Sequence, residues 1–236
     1  MHDDALPKVT GAMLRHAESA CGRRLRLEHQ NQRGNNLGDG RFRVSNQFTE
    51  HAQVAQVELG PPVAAAFTPL GLEPEERRVY DHAVATYLHR FGDRDARTVD
   101  HDQWETEVPA LGVRLVGSAG VPFEDGEGAP ELRFLTIGNE RIEADPLATA
   151  ATRFGLLRHA AWVGDTSVRV VHAELLYGTV HDVQVDLASE LDTLHAWLAE
   201  RVEVITERVR EARPRIGLEC GRCKFVAGCP PHSGRG

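Results

Sequence analysis

The chain has 236 residues, with 27 basic and 35 acidic side chains for a formal net charge of −8, and 41% of its residues are hydrophobic. A chain of this length buries a sizeable core without disulfide staples, and its overall acidity disfavours tight non-specific binding along nucleic acid. No stretch reads as a membrane span, no repeat or low-complexity tract divides the chain, and the polar start MHDDALPK lacks the pattern of a secretory signal, so a cytoplasmic protein is expected.

In chain order, Val9, Met13 and Ala17 stand at helical spacing within 9–20, and a second, more polar helix is expected over 44–58, ended by Pro61-Pro62. A third helix is expected over 75–91 after Pro74, with Val79, Val84, Tyr87, Leu88 and Phe91 on its core face. A charged loop follows. Gly112 to Val121 and Glu131 to Gly138 are β-prone runs joined by the turn-rich FEDGEGAP as a hairpin. Asp145-Pro146 opens a helix that runs to about Val163, where Gly164 stops it. VRVVHAELLY and VHDVQVDL read as strands broken at Gly178. The last helix, 189–212, carries a core stripe of Leu191, Leu194, Leu198, Val202, Ile205 and Val209 before Pro214. The order of helices, then β-β-α-β-β-α, then a cysteine tail fits one α/β domain.

The four cysteines are distributed unevenly. Cys21 stands alone, while Cys220, Cys223 and Cys229 form a C-x2-C-x5-C run near the C-terminus, with Gly221 and Gly228 easing its turns. An x2 spacing lets two thiolates grip one metal centre from a single tight turn. Two ligand sets compete. His232 offers a local fourth ligand, so that Cys220, Cys223, Cys229 and His232 would hold zinc and leave Cys21 as a small core residue. Alternatively Cys21, at the end of a short helix and followed by Arg23-Arg24, joins the other three and sews the two ends of the chain together.

Cys21-Gly22-Arg23-Arg24 together with the C-terminal run resembles the iron-sulfur members of the RecB-like PD-(D/E)xK nucleases, the class of the CRISPR-adaptation exonucleases and the AddB helicase-nuclease subunit. That family has a C-P-R-R-like string, so glycine here replaces proline. The resemblance covers about residues 9–230. It implies a 4Fe-4S cluster on Cys21, Cys220, Cys223 and Cys229. It also implies a restriction-endonuclease-like core, a central mixed β-sheet flanked by helices, plus a small helical lobe holding the cluster. The single domain then divides into an N-terminal helical segment (1–100), a nuclease-like core (101–213) and a cysteine-rich tail (214–236).

The same resemblance breaks at the catalytic positions. Active relatives place an aspartate in a G-R-I-D-like string and a D/E-x-K on the next strand, which together bind a divalent metal and position water. Here those positions fall on Gly120, Phe134 and Thr136. The chain has only two lysines, Lys8 and Lys224, so no acid-x-lysine motif exists in its core, and arginine does not exchange protons near neutrality. A catalytically inactive member of the fold is therefore expected. Glu131, Glu140, Glu143 and Asp145 are the carboxylates from which an active metal-dependent exonuclease with relocated ligands would have to be built.

Residues 1–50 and 201–236 together hold sixteen basic and ten acidic side chains, against eleven and twenty-five in 51–200. If the ends meet, a basic patch surrounds the cysteines. Arg23, Arg24, Arg26, Arg215, Arg222 and Lys224 are its leading members, with Arg15, Arg33, Arg41, Arg43, Arg210 and Arg213 as further candidates. Partners suited to such a chain are DNA, or a helicase or nuclease subunit for which it serves as scaffold; a redox-responsive regulatory protein is a third reading. His82 and His89 and the His101-Asp102 pair read as ordinary surface or core side chains and RGNNLGDG as a flexible loop, while His51 lies in the helical region where active relatives carry a histidine and is not read as catalytic.

Overall fold

A computed structural model describes residues 7–17, 21–29, 40–99, 105–117, 119–138, 145–164, 166–211, 213, 220, 223, 225 and 229. In chain order the elements are β1 (Lys8–Thr10), α1 (Gly11–His16), α2 (Gly22–His29), α3 (Gly40–Val54), α4 (Pro74–Phe91), β2 (Ala96–Thr98), β3 (Glu105–Val108), β4 (Val113–Val116), β5 (Val121–Asp125), β6 (Pro130–Thr136), α5 (Ala150–Val163), β7 (Ser167–Glu174), β8 (Thr179–Asp186) and α6 (Leu187–Glu211). They form a mixed α/β fold with two mixed sheets, and the chain divides into two units, Met1–Leu37 with Gln103–Gly117 and Asp192–Gly236, and Gly38–Asp102 with Ser118–Leu191. Each unit is assembled from separate stretches of the chain.

The first unit contains a three-stranded sheet, β1-β4-β3, in which β1 runs parallel to β4 and β3 antiparallel to it. The cysteine-bearing part is therefore not purely helical. Its sheet arises where the sequence suggests a helix start and a loop. Val9 and Thr10 are β-branched, and Val9 pairs with Leu115, while Thr10 ends the strand by accepting the Met13 amide on its hydroxyl at 3.2 Å. Val9, Met13 and Ala17 are nevertheless all buried, so the expected core positions hold although the element changes midway. A helix not foreseen, α2, follows Cys21. The stripe on α6 buries Leu194, Leu198 and Ile205, with Trp197 beside them.

The second unit is built on a five-stranded sheet of order β2-β5-β6-β7-β8, antiparallel except between β6 and β7. The parallel pair is joined by α5, as a crossover requires. The expected hairpin forms one strand later than the pattern suggests. Gly117 and Gly120, at φ of 107° and 71°, break the run 112–121, so that β4 joins the first unit and β5 pairs with β6. Asp125 closes the hairpin by accepting the amides of Glu127 and Ala129 at 3.0 and 2.8 Å. The charged loop after α4 contains β2 and β3. At α5, Asp145 caps a short 3-10 turn and Thr149 caps the helix itself, accepting Thr152 N–H at 3.1 Å.

Helices α3 and α4 cover one face of this sheet with a core that includes Phe48, Phe67, Tyr80, Tyr87 and Phe91. Inside that face lies an unusual group. Arg133 is 0% exposed, its guanidinium 3.8 Å from the centre of the Phe123 ring and 4.6 Å from that of Phe91. Its Nε donates to Glu131, and its Nη1 donates to Gln56 Oε1 at 2.7 Å and Tyr87 Oη at 2.9 Å. Glu131 also meets Arg94 at 3.0 Å and Arg169 at 3.7 Å. A buried arginine is tolerable only with such a carboxylate and hydrogen-bond set around it.

Candidate metal centre

Cys21 is the N-cap of α2. Its carbonyl accepts the Leu25 amide at 3.2 Å and its Sγ accepts the Arg24 amide at 3.4 Å, so the first turn of the helix directs an N–H at the sulfur. At the other end of the chain, Cys223 N–H donates to the Cys220 carbonyl at 3.2 Å, closing the C-x2-C turn. All four cysteines are free and half-buried.

The Cys229 thiol lies within electrostatic reach of the other three. Burial pushes it up from its ordinary value, Cys21, Cys220 and Cys223 push it further, and the Arg23 guanidinium opposes them. Among the described residues no group of three or more His, Cys, Asp or Glu is close enough to hold one metal ion. His232 lies outside the described residues, as do Arg215, Arg222 and Lys224.

Arg26 is exposed, Arg23 and Arg24 are half-buried, and Arg23 is the cation nearest in effect to Cys229. Arg41 and Arg43 belong to the other unit, where Arg43 pairs with Glu76 at 2.6 Å.

The positions where the resemblance expects a metal site are packed with apolar atoms. Continuing the β5–β6 register, in which Val121 opposes Arg133, sets Gly120 opposite Phe134. A Cβ on Gly120 would stand 3.0 Å from Leu132 Cδ1 and 3.2 Å from the Arg133 carbonyl oxygen. Phe134 stacks on His172 with ring centres 4.7 Å apart, and a Cβ on Gly155 would come within 2.7 Å of its ring. Thr136 Oγ1 donates to the Ala173 carbonyl at 3.3 Å. The relocated candidates are engaged elsewhere: Glu131 by three arginines, Asp145 as a cap, with Glu140 and Glu143 outside the described residues. His51 Nδ1 lies 2.5 Å from Tyr80 Oη.

Two buried polar residues on β7 carry no sequence motif. His172 shares a hydrogen bond of 2.7 Å with Thr152 Oγ1, and burial, with His181 as a lesser cause, pulls its pKa from 6.5 down to about 4. Glu174 accepts the amides of Gly138 at 2.9 Å and Tyr177 at 2.6 Å, using both carboxylate oxygens.

No family model matches the chain, and no curated protein does. Among solved structures, the crystal structure of SSO0001 is similar at 14% identity, covering 96% of this chain and 87% of that one, with a TM-score of 0.39. No helix among the described residues is long and apolar enough to cross a membrane.

Proposed function

We propose that the chain is a RecB-like PD-(D/E)xK nuclease-fold protein of the cytoplasm, with a restriction-endonuclease-like core. It binds a 4Fe-4S cluster through Cys21, Cys220, Cys223 and Cys229 and does not hydrolyse phosphodiesters. Its work is to contact DNA or to serve as a scaffold for a helicase or nuclease subunit. The observation that carries this reading is the reach of the Cys229 thiol to cysteines at both ends of the sequence. A zinc site on Cys220, Cys223, Cys229 and His232 leaves Cys21 out, whereas Cys21 is the thiol that acts most strongly on Cys229. When bound, the cluster supplies a cationic iron-sulfur core that offsets the mutual repulsion of the thiolates and joins the chain ends.

Gly120, Phe134 and Thr136 offer no carboxylate to a divalent ion, and the phosphate charge in a hydrolytic transition state would go unassisted. Anaerobically purified protein is expected to leave single- and double-stranded DNA intact with magnesium or manganese. Binding, where present, weakens with salt and falls with Arg23→Ala and Arg26→Ala. Gly120→Asp is expected to destabilise without rescue, since φ of 71° and the Leu132 contact oppose a side chain there. Metal-dependent cleavage that tracks the pure protein and is lost in Asp145→Asn, or in Glu131→Gln shown to remain folded, would overturn the reading.

A further inference from the structure

Six large hydrophobic side chains are strongly exposed among the described residues, and five of them, Val54, Val57, Leu59, Val63 and Leu70, fall between residues 54 and 70. The chain after α3 doubles back along that helix: Val63 N–H donates to the Ala55 carbonyl at 2.8 Å, and seven residues on, Leu70 N–H donates to Gln47 Oε1 at 3.2 Å, while Gln47 Nε2 returns a bond to the Leu70 carbonyl at 2.8 Å. Gln47, Glu50 and Val54 share a side of α3 by their spacing. The five exposed side chains therefore lie at the C-terminal end of α3 and on the segment that returns beside it, a stretch about 10 Å along the helix from Gln47 to Val54. Leu70 is 76% exposed and Val57 62%, positions at which water contact forgoes burial energy.

The charge around the strip selects its occupant. Glu50, Glu58 and Glu75 are exposed and have no ion-pair partner among the described residues, whereas nearby Glu76 and Asp81 are paired with Arg43 and Arg77. The unit that carries the strip holds twenty-three acidic and twelve basic residues, which opposes a nucleic-acid or anionic lipid partner. We infer that the strip of Val54, Val57, Leu59, Val63 and Leu70 docks a basic amphipathic helix of a protein partner, apolar side chains on the strip and lysines or arginines on the free carboxylates. About two helical turns match its length. Docking at this strip does not depend on the cluster.

The test is titration of the full chain into a labelled leucine–lysine peptide of about fourteen residues patterned as an amphipathic helix. A peptide of the same composition without that pattern and a leucine–glutamate counterpart serve as controls. Saturable binding of the amphipathic cationic peptide alone is expected. Val63→Ser with Leu70→Ser should weaken it about tenfold or more. Glu50→Gln with Glu58→Gln, changes in exposed charge that leave the apolar strip in place, should weaken it several-fold and flatten its salt dependence. Equal binding of the unpatterned peptide, binding indifferent to both variants, or self-association of the chain abolished by Leu70→Ser would overturn the proposal, the last by assigning the strip to a second copy. Iron measured on the same samples reports on the cluster separately.

Discussion

Gly22 lies so close to α6 that a Cβ on it would stand 2.4 Å from the carbonyl oxygen of Arg208 and 3.3 Å from the Arg213 amide nitrogen. The residue after Cys21 is thus the point where the start of α2 rests against the end of α6, and only a residue without a side chain fits.

Gly22→Ala is accordingly expected to lower stability by about 1–3 kcal/mol, the usual cost of overpacking against backbone. Gly22→Pro, which recreates the family string, should cost at least as much. Urea denaturation of the two variants checks this, and unchanged midpoints would show that α2 does not rest on α6 as described.

The Arg133 group makes a second prediction with an asymmetry in it. Glu131→Gln leaves a buried cation between Phe91 and Phe123 without its carboxylate and should cost about 3–5 kcal/mol. Arg133→Met should cost less, since Arg94 and Arg169 remain to pair with Glu131. The double variant should lose less than the sum of the two. Equilibrium unfolding of the three variants decides it, and additive losses would mean that the two residues act separately.

His172 sets a dependence on acid. Its pKa in the folded chain is depressed to about 4 from 6.5, so the stability it contributes is present above 6.5 and is lost as pH falls from 6.5 through 4. Allowing for residual solvent access, the loss is about 2 kcal/mol. His172→Gln keeps a partner for Thr152 and should flatten the stability profile between those two values. An unaltered profile would place the acid sensitivity elsewhere.

Much of this architecture was legible because the signals are local. Pro74 and the Glu73–Glu76 bond start α4, Gly178 turns β7 into β8, and the leucine stripe defines α6. What escaped the sequence depends on partners far apart in the chain. The aromatic slot for Arg133 comes from Phe91 and Phe123, and β1 exists only because Leu115 lies beside Val9. The cysteine pattern pointed to a shared site, but the role of Cys21 as a helix cap, and α2 itself, were hidden behind a helix pattern that continued through Ala17. His172 and Glu174 sit in an apolar strand run with no spacing to mark them.

Metal analysis of anaerobically purified protein tests the shared cysteine site most directly. Roughly four irons per chain with matching sulfide, a brown colour, and loss of both in Cys21→Ser are the results expected for a four-cysteine cubane. A colourless protein carrying one zinc, undisturbed by Cys21→Ser and emptied by His232→Ala, would contradict it.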